Sequence, residues 1–143
     1  MSKHYANANW EGNLVKGKGK YTLKTSGYEG KLSFSSRFED DKTASSPEEL
    51  IGAALASCYS MALANALDKS GNTTEKVETS AEVTLGKGTE GFAISEILLK
   101  TRVKVKPMDK KIFLEIAENT KKGCPVSKAL TGTTIKLEAE IVL

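Results

Sequence analysis

From Leu50 to Leu67 the chain carries no charged residue, and its polar residues there are few: Ser57, Ser60 and Asn65, with Gly52 near the start. No other stretch restricts the fold as strongly. A run of this length raises the question of a membrane span, but its alanines, glycine and hydroxyl groups make it weakly hydrophobic, and its flanks read as folded protein. Apolar residues fall on every side of a helical wheel, which fits a central helix enclosed by other elements. Ser46 supplies the N-cap, Pro47 suits the first helical position and Glu49 stands where a capping-box acid reaches back. The helix is predicted to run to about Ser70 and to stop at Gly71.

Around this helix the chain alternates between strands and amphipathic helices. Tyr5 to Leu14, Gly17 to Thr25 and Lys31 to Phe38 read as a glycine-punctuated meander. In the third segment, period two puts Leu32, Phe34 and Phe38 on one face and Ser33, Ser35 and Arg37 on the other. Val77 to Leu85 alternates, and so does Phe92 to Val105, with a phase shift that predicts a bulge near Ser95-Glu96 or a change of face there. Asp109 to Lys122 repeats at helical spacing and closes at Gly123. A short helix follows Cys124 and Pro125, and Thr133 to Leu143 reads as a last strand. The class is α+β, mostly antiparallel, in a single domain spanning 1–143.

Composition excludes several functions. A net charge of +3, from 21 basic and 18 acidic residues, is too small a footprint for a nucleic-acid binder. One histidine, His4, and two cysteines fall short of a four-ligand zinc site, and nothing calls for a cofactor. The first residues, Met1 to Asn7, lack the apolar core of a signal peptide, so the cytoplasm is the expected compartment, with no membrane partner.

The chemistry rests on the cysteines. Cys58 stands in the apolar helix, roughly 18 Å beyond the Ser46 cap at 1.5 Å per residue, where the helix dipole no longer acts. If it is to react as a thiolate it needs a nearby cation, the more so because burial disfavours charge. Arg37, leading into the loop before this helix, is the candidate. Cys124, at the start of a short helix, faces free backbone N–H groups and can equally claim the nucleophile's role. Pattern alone does not order the two.

"RFEDDKTASSPEELIGAALASCYSMAL", followed far downstream by "GCPVSKAL", resembles the OsmC branch of the OsmC/Ohr family of bacterial thiol peroxidases, and the likeness runs from "WEGNLVKGKGK" to the closing strand. Ser45-Ser46-Pro47 stands where the family often has threonine-asparagine-proline, a change that preserves the cap. The resemblance implies an intertwined α+β homodimer, with antiparallel β-sheets wrapping two central helices and two sites at the subunit interface. It makes Cys58 the peroxidatic cysteine, Cys124 the resolving one, and Arg37 with Glu48 the polar pair beside them, the glutamate holding the guanidinium in a bidentate pair. The resemblance also implies a hydroperoxide substrate, organic for preference with hydrogen peroxide as a second, and an external dithiol of lipoyl type as reductant.

Helix geometry adds a constraint. Ten residues place Glu48 and Cys58 about 15 Å apart along one straight helix and turned by roughly 80°. Arg37 and Glu48 of one chain are therefore expected to complete the site around Cys58 of the other. Glu49 remains a cap. Leu55, Tyr59 and Met61 are candidates to line a substrate pocket. Two further classes stay open: a non-enzymatic redox sensor or small-molecule-binding protein that reacts once without turnover, and a scaffold whose cysteines are buried and inert.

Overall fold

The computed structural model describes residues 1–142; Leu143, the last residue of the expected closing strand, lies outside the described residues. Contacts divide the chain into two compact units, one comprising residues 1–50 and the other beginning at Ile51.

The first unit is built on the expected meander: β1 (Ala6–Glu11), β2 (Lys18–Leu23) and β3 (Tyr28–Leu32) pair antiparallel in chain order. Two aromatic–glycine pairs fix the register. Trp10 lies opposite Gly19 and Tyr21 opposite Gly30. A Cβ added at either glycine would come within 2.6 Å of the facing ring, so each ring lies over backbone that only glycine leaves open.

The third predicted strand is corrected. β3 ends at Leu32, and Phe34–Phe38 forms a one-turn helix, α1. Ser33 caps it: its Oγ accepts from Ser36 N at 3.0 Å, while Ser33 N donates to Ser36 Oγ at 3.2 Å. This is a capping box with serine in the usual place of Glu or Gln. Phe34 and Phe38, which share a face of a strand by period two, meet as an i,i+4 helical pair with ring centroids 5.0 Å apart.

The long helix, α2 (Pro47–Lys69), agrees with its predicted ends: Glu49 N donates to Ser46 Oγ at 3.1 Å, and Gly71 takes a φ of +88° just beyond the helix. It is long and apolar enough to cross a membrane by composition alone, yet in the second unit a stripe at i,i+4 spacing, Leu55, Tyr59, Leu63 and Leu67, is fully buried in the protein core. Ala53, Ala54, Ser57 and Met61 face outward. Gly52 lets the helix approach β-sheet closely, since a Cβ there would stand 3.1 Å from Val83 Cγ2. A row of hydroxyls, Ser60–Thr79–Thr101, links helix to sheet at 2.8 and 2.9 Å.

That sheet has the order β4-β5-β6, with β4 (Thr74–Gly88), β5 (Gly91–Val105) and β6 (Thr134–Ile141). The bulge falls as predicted: Thr84 pairs with Glu96 and Leu85 with Ile94, leaving Ser95 unopposed. Ile97, Leu99, Thr101, Val103 and Val105 form the buried row of β5. β4 and β5 are antiparallel, but β6 runs parallel to β5, so the sheet is mixed. Parallel neighbours need a crossover, and α3 (Lys110–Gly123) with α4 (Pro125–Ala129) supplies it. Asp109 caps α3 by accepting from Ile112 N at 3.0 Å. Cys124 stands between the two helices, as C-cap of one and N-cap of the other.

Candidate active site

Two clusters hold the predicted site residues, one in each unit. In the second, the Sγ atoms of Cys58 and Cys124 stand 2.7 Å apart although 66 residues separate them in the chain. Both cysteines are free, Cys58 partly accessible and Cys124 buried at 1% exposure. Each comes from a different constraint. The apolar stripe of α2 fixes Cys58 beside Tyr59, while the Cys124 N–H, donated to Thr120 O at 3.0 Å, ties its backbone to the last turn of α3.

The electrostatics of the two differ. Burial pushes the Cys58 thiol up, the neighbouring Cys124 sulfur pushes it further, and the Val126 N–H opposes them only in part. Burial works against the Cys124 anion as well, but the Cys58 thiol and the backbone N–H groups of Ser127 and Val126 outweigh it and hold Cys124 below the ordinary range. The free N–H groups of the first turn of α4 thus favour a thiolate on Cys124, as its place in the sequence suggests. Access favours Cys58 and ionisation favours Cys124.

In the first unit, Arg37 on α1 donates to Glu48 through Nε at 3.0 Å and through Nη2 at 2.8 Å. The pair exists, but it is not the bidentate fork expected of it. Both nitrogens share Oε1, and Oε2 is buried without a hydrogen-bond partner among the described residues. Glu48 is 6% exposed and Arg37 far more open. The Arg37 guanidinium carbon also lies 5.3 Å from the centroid of the Phe38 ring, a cation–π contact.

A polar network missed at the sequence level sets this pair. Ser36 Oγ donates to Ser45 O at 2.6 Å, and Ser45 N donates to Lys31 O at 2.9 Å, pinning the loop before α2 onto the end of β3. Ser35 Oγ donates to Asp41 Oδ2 at 2.7 Å, and Thr43 donates to Asp41 Oδ1 from both its N–H and its hydroxyl. The Thr43 hydroxyl, then that of Ser35, holds the Asp41 carboxyl below its usual range. The signal was present as Ser33-x-x-Ser36, hidden by the strand-like alternation around it.

Of the suggested pocket residues, Leu55 and Tyr59 share the buried stripe of α2 and Met61 lies apart from them. Leu55 and Tyr59 are fully buried core residues, and the Tyr59 hydroxyl donates to Ala117 O on α3 at 3.0 Å. Met61 is 75% exposed on another side of α2.

A family model described as "OsmC-like protein" matches residues 39–140. Peroxiredoxin OsmC of Escherichia coli K12 is 43% identical over 124 residues, which is 86% of each chain. Among solved structures, an organic hydroperoxide resistance protein from Elizabethkingia anophelis superposes with a TM-score of 0.78 at 18% identity, covering 99% of both chains. The organic hydroperoxide resistance protein OhrB of Bacillus subtilis gives 0.75 at 24% identity, covering 95% of this chain and 98% of its own. These two likenesses concern the fold; the family match and the close relative decide the membership. With two cysteines in contact at the junction of α2 and the α3–α4 crossover, the chain belongs to the family of OsmC-like proteins.

Proposed function

We propose that the chain is a thiol peroxidase that reduces hydroperoxides, organic ones for preference, by a two-cysteine cycle. The 2.7 Å approach of the Cys58 and Cys124 sulfurs carries this reading, and the named relatives support it. Cys58 thiolate attacks the terminal peroxide oxygen; the O–O bond breaks, the alcohol leaves after taking up a proton, and Cys58 is oxidised to the sulfenic acid. Cys124 then attacks the Cys58 sulfur, water leaves and the disulfide forms. An external dithiol, lipoyl-type by family likeness, restores both thiols by exchange and becomes a disulfide itself.

A thiol that burial raises needs a cation to ionise. The reading assigns this to Arg37, held by Glu48, acting on Cys58 of the other chain in a homodimer, because about 15 Å of helix separates Glu48 from Cys58 of its own chain. The two units then serve one functional domain, consistent with a family match that spans their boundary. The cytoplasm suits the cycle, since a reducing compartment keeps such thiols available.

A second reading has an observation behind it: in the isolated chain Cys124 is the cysteine favoured as thiolate, which would make it the first to attack. Single-turnover consumption of tert-butyl hydroperoxide by Cys58→Ser and Cys124→Ser chains separates them. Consumption by Cys124→Ser alone upholds Cys58 as the nucleophile; consumption by Cys58→Ser alone reverses the roles. For the enzyme itself, one equivalent of peroxide should remove both thiols with a mass loss of about two hydrogens, and dihydrolipoamide should restore them over many cycles. Unchanged thiols would refute the reading. Mixing Cys58→Ser with Arg37→Ala chains should recover activity, and no recovery after proven exchange would remove the shared site.

A further inference from the structure

We propose that Tyr59 is a positioning residue for the thiol–disulfide step: its hydroxyl, bonded to Ala117 O, holds α3 so that Cys124 stays within reach of Cys58. The inference rests on the cysteine cycle above for its biological use, but not for its geometry.

Tyr59 is the residue next to Cys58, is fully buried, and donates to a carbonyl 58 residues away at 3.0 Å. Ala117 is itself fully buried and lies two helical turns before Cys124 on α3. The contacts form a closed circuit. Cys58 is bonded to Tyr59, Tyr59 to Ala117, Ala117 to Cys124 through a continuous helix whose last turn receives the Cys124 N–H, and the two sulfurs meet at 2.7 Å. Remove the phenol link and only non-directional apolar packing sets the register of the two helices; the hydrogen bond adds a directional restraint between them.

Packing alone would not require this hydroxyl. The Ala117 carbonyl lies inside α3, where the helix ladder already provides it with a donor, so the phenol is the group with more to lose from burial. Its own ionisation is pushed well up, chiefly by burial and further by Glu118 and Cys124, so it remains a donor throughout the pH range in which a thiol reacts.

Tyr59→Phe removes the link and keeps the ring. Equilibrating the Cys58–Cys124 pair in glutathione buffers should give an effective concentration about fivefold lower than in the unmodified chain, the factor that a typical neutral hydrogen bond represents. After a pulse of tert-butyl hydroperoxide, the first thiol should be lost at the same rate within about twofold, while disulfide closure slows and the dimedone-trapped sulfenic acid rises. Thr79→Val, which breaks the hydroxyl row from α2 to the sheet without touching α3, is the control for general loosening. An unchanged glutathione equilibrium in Tyr59→Phe, or an equal shift in Thr79→Val, would overturn the assignment. A glutathione shift in a chain that never reacts with peroxide would sink the peroxidase reading and leave the positioning role standing.

Discussion

The two clusters are assembled by opposite means. Arg37 and Glu48 are eleven residues apart, and the structure around them is a mesh of short-range hydroxyl and backbone bonds from Ser33 to Ser45. Cys58 and Cys124 are 66 residues apart, and what brings them together is the buried stripe of α2, the row of β5 and the placement of α3. The first cluster is polar and local, with one buried carboxylate oxygen that has no hydrogen-bond partner among the described residues. The second is apolar and long-range, with two sulfurs in contact. A charged pair tolerates a few tenths of an ångström of error and still attracts; in the proposed cycle, where one sulfur attacks the other, the geometry is less forgiving. The site whose chemistry demands the closer fit is the one embedded in the core.

That contrast can be broken most directly at the cysteines. Cys58→Ser should lower hydroperoxide turnover by about 10³-fold or more, whereas Cys124→Ser should reduce one equivalent and then stop, with a dimedone-reactive sulfur visible by mass. Next comes Arg37→Ala. Losing a single stabilising charge at a reacting centre costs about 10²-fold, read in the second-order rate with peroxide. Burial already raises the Cys58 thiol; on the proposed shared site, losing the Arg37 cation should raise it further, so the rising limb of the rate profile should move to higher pH, and a profile that stays in place would show that Arg37 does not act on the thiolate.

Smaller effects test the local mesh. Ser33→Ala removes the side chain that accepts from Ser36 N and should cost about 1 kcal/mol, seen as a lower midpoint in urea. Asp41→Asn should be milder still. The Asp41 carboxyl is held below its unfolded value, so its contribution is present above that value and is lost as pH falls through the folded one. The difference in melting temperature between the two chains should therefore shrink on acidification.

Much of this was legible in the residues because the signals were local. The Ser46–Pro47 start of α2, the helical repeat of α3 with its stop at Gly123, and the phase slip at Ser95 each depend on neighbours within a few turns or a strand pair. The helix α1 was not, since F-S-S-R-F satisfies period two and i,i+4 pairing equally well, and the capping box that decides between them uses serine where glutamate is the familiar sign. The direction of β6 was hidden for a different reason: alternation is the same whichever way a strand runs. The meeting of the two cysteines had no signal in their spacing at all and entered through family resemblance. The shared-oxygen geometry of Arg37 and Glu48 depends on atomic detail that no pattern encodes.

The parallel pairing of β6 with β5 has a consequence for how the molecule comes apart. The crossover that makes this pairing possible is α3, Cys124 and α4, so the edge strand and the second sulfur hang from one connection. Fraying of β6 slackens one end of that connection, and closing a disulfide across it clamps the same segment. On the proposed cycle, hydrogen exchange along Thr134–Ile141 should therefore slow when the cysteines join and quicken when they are reduced.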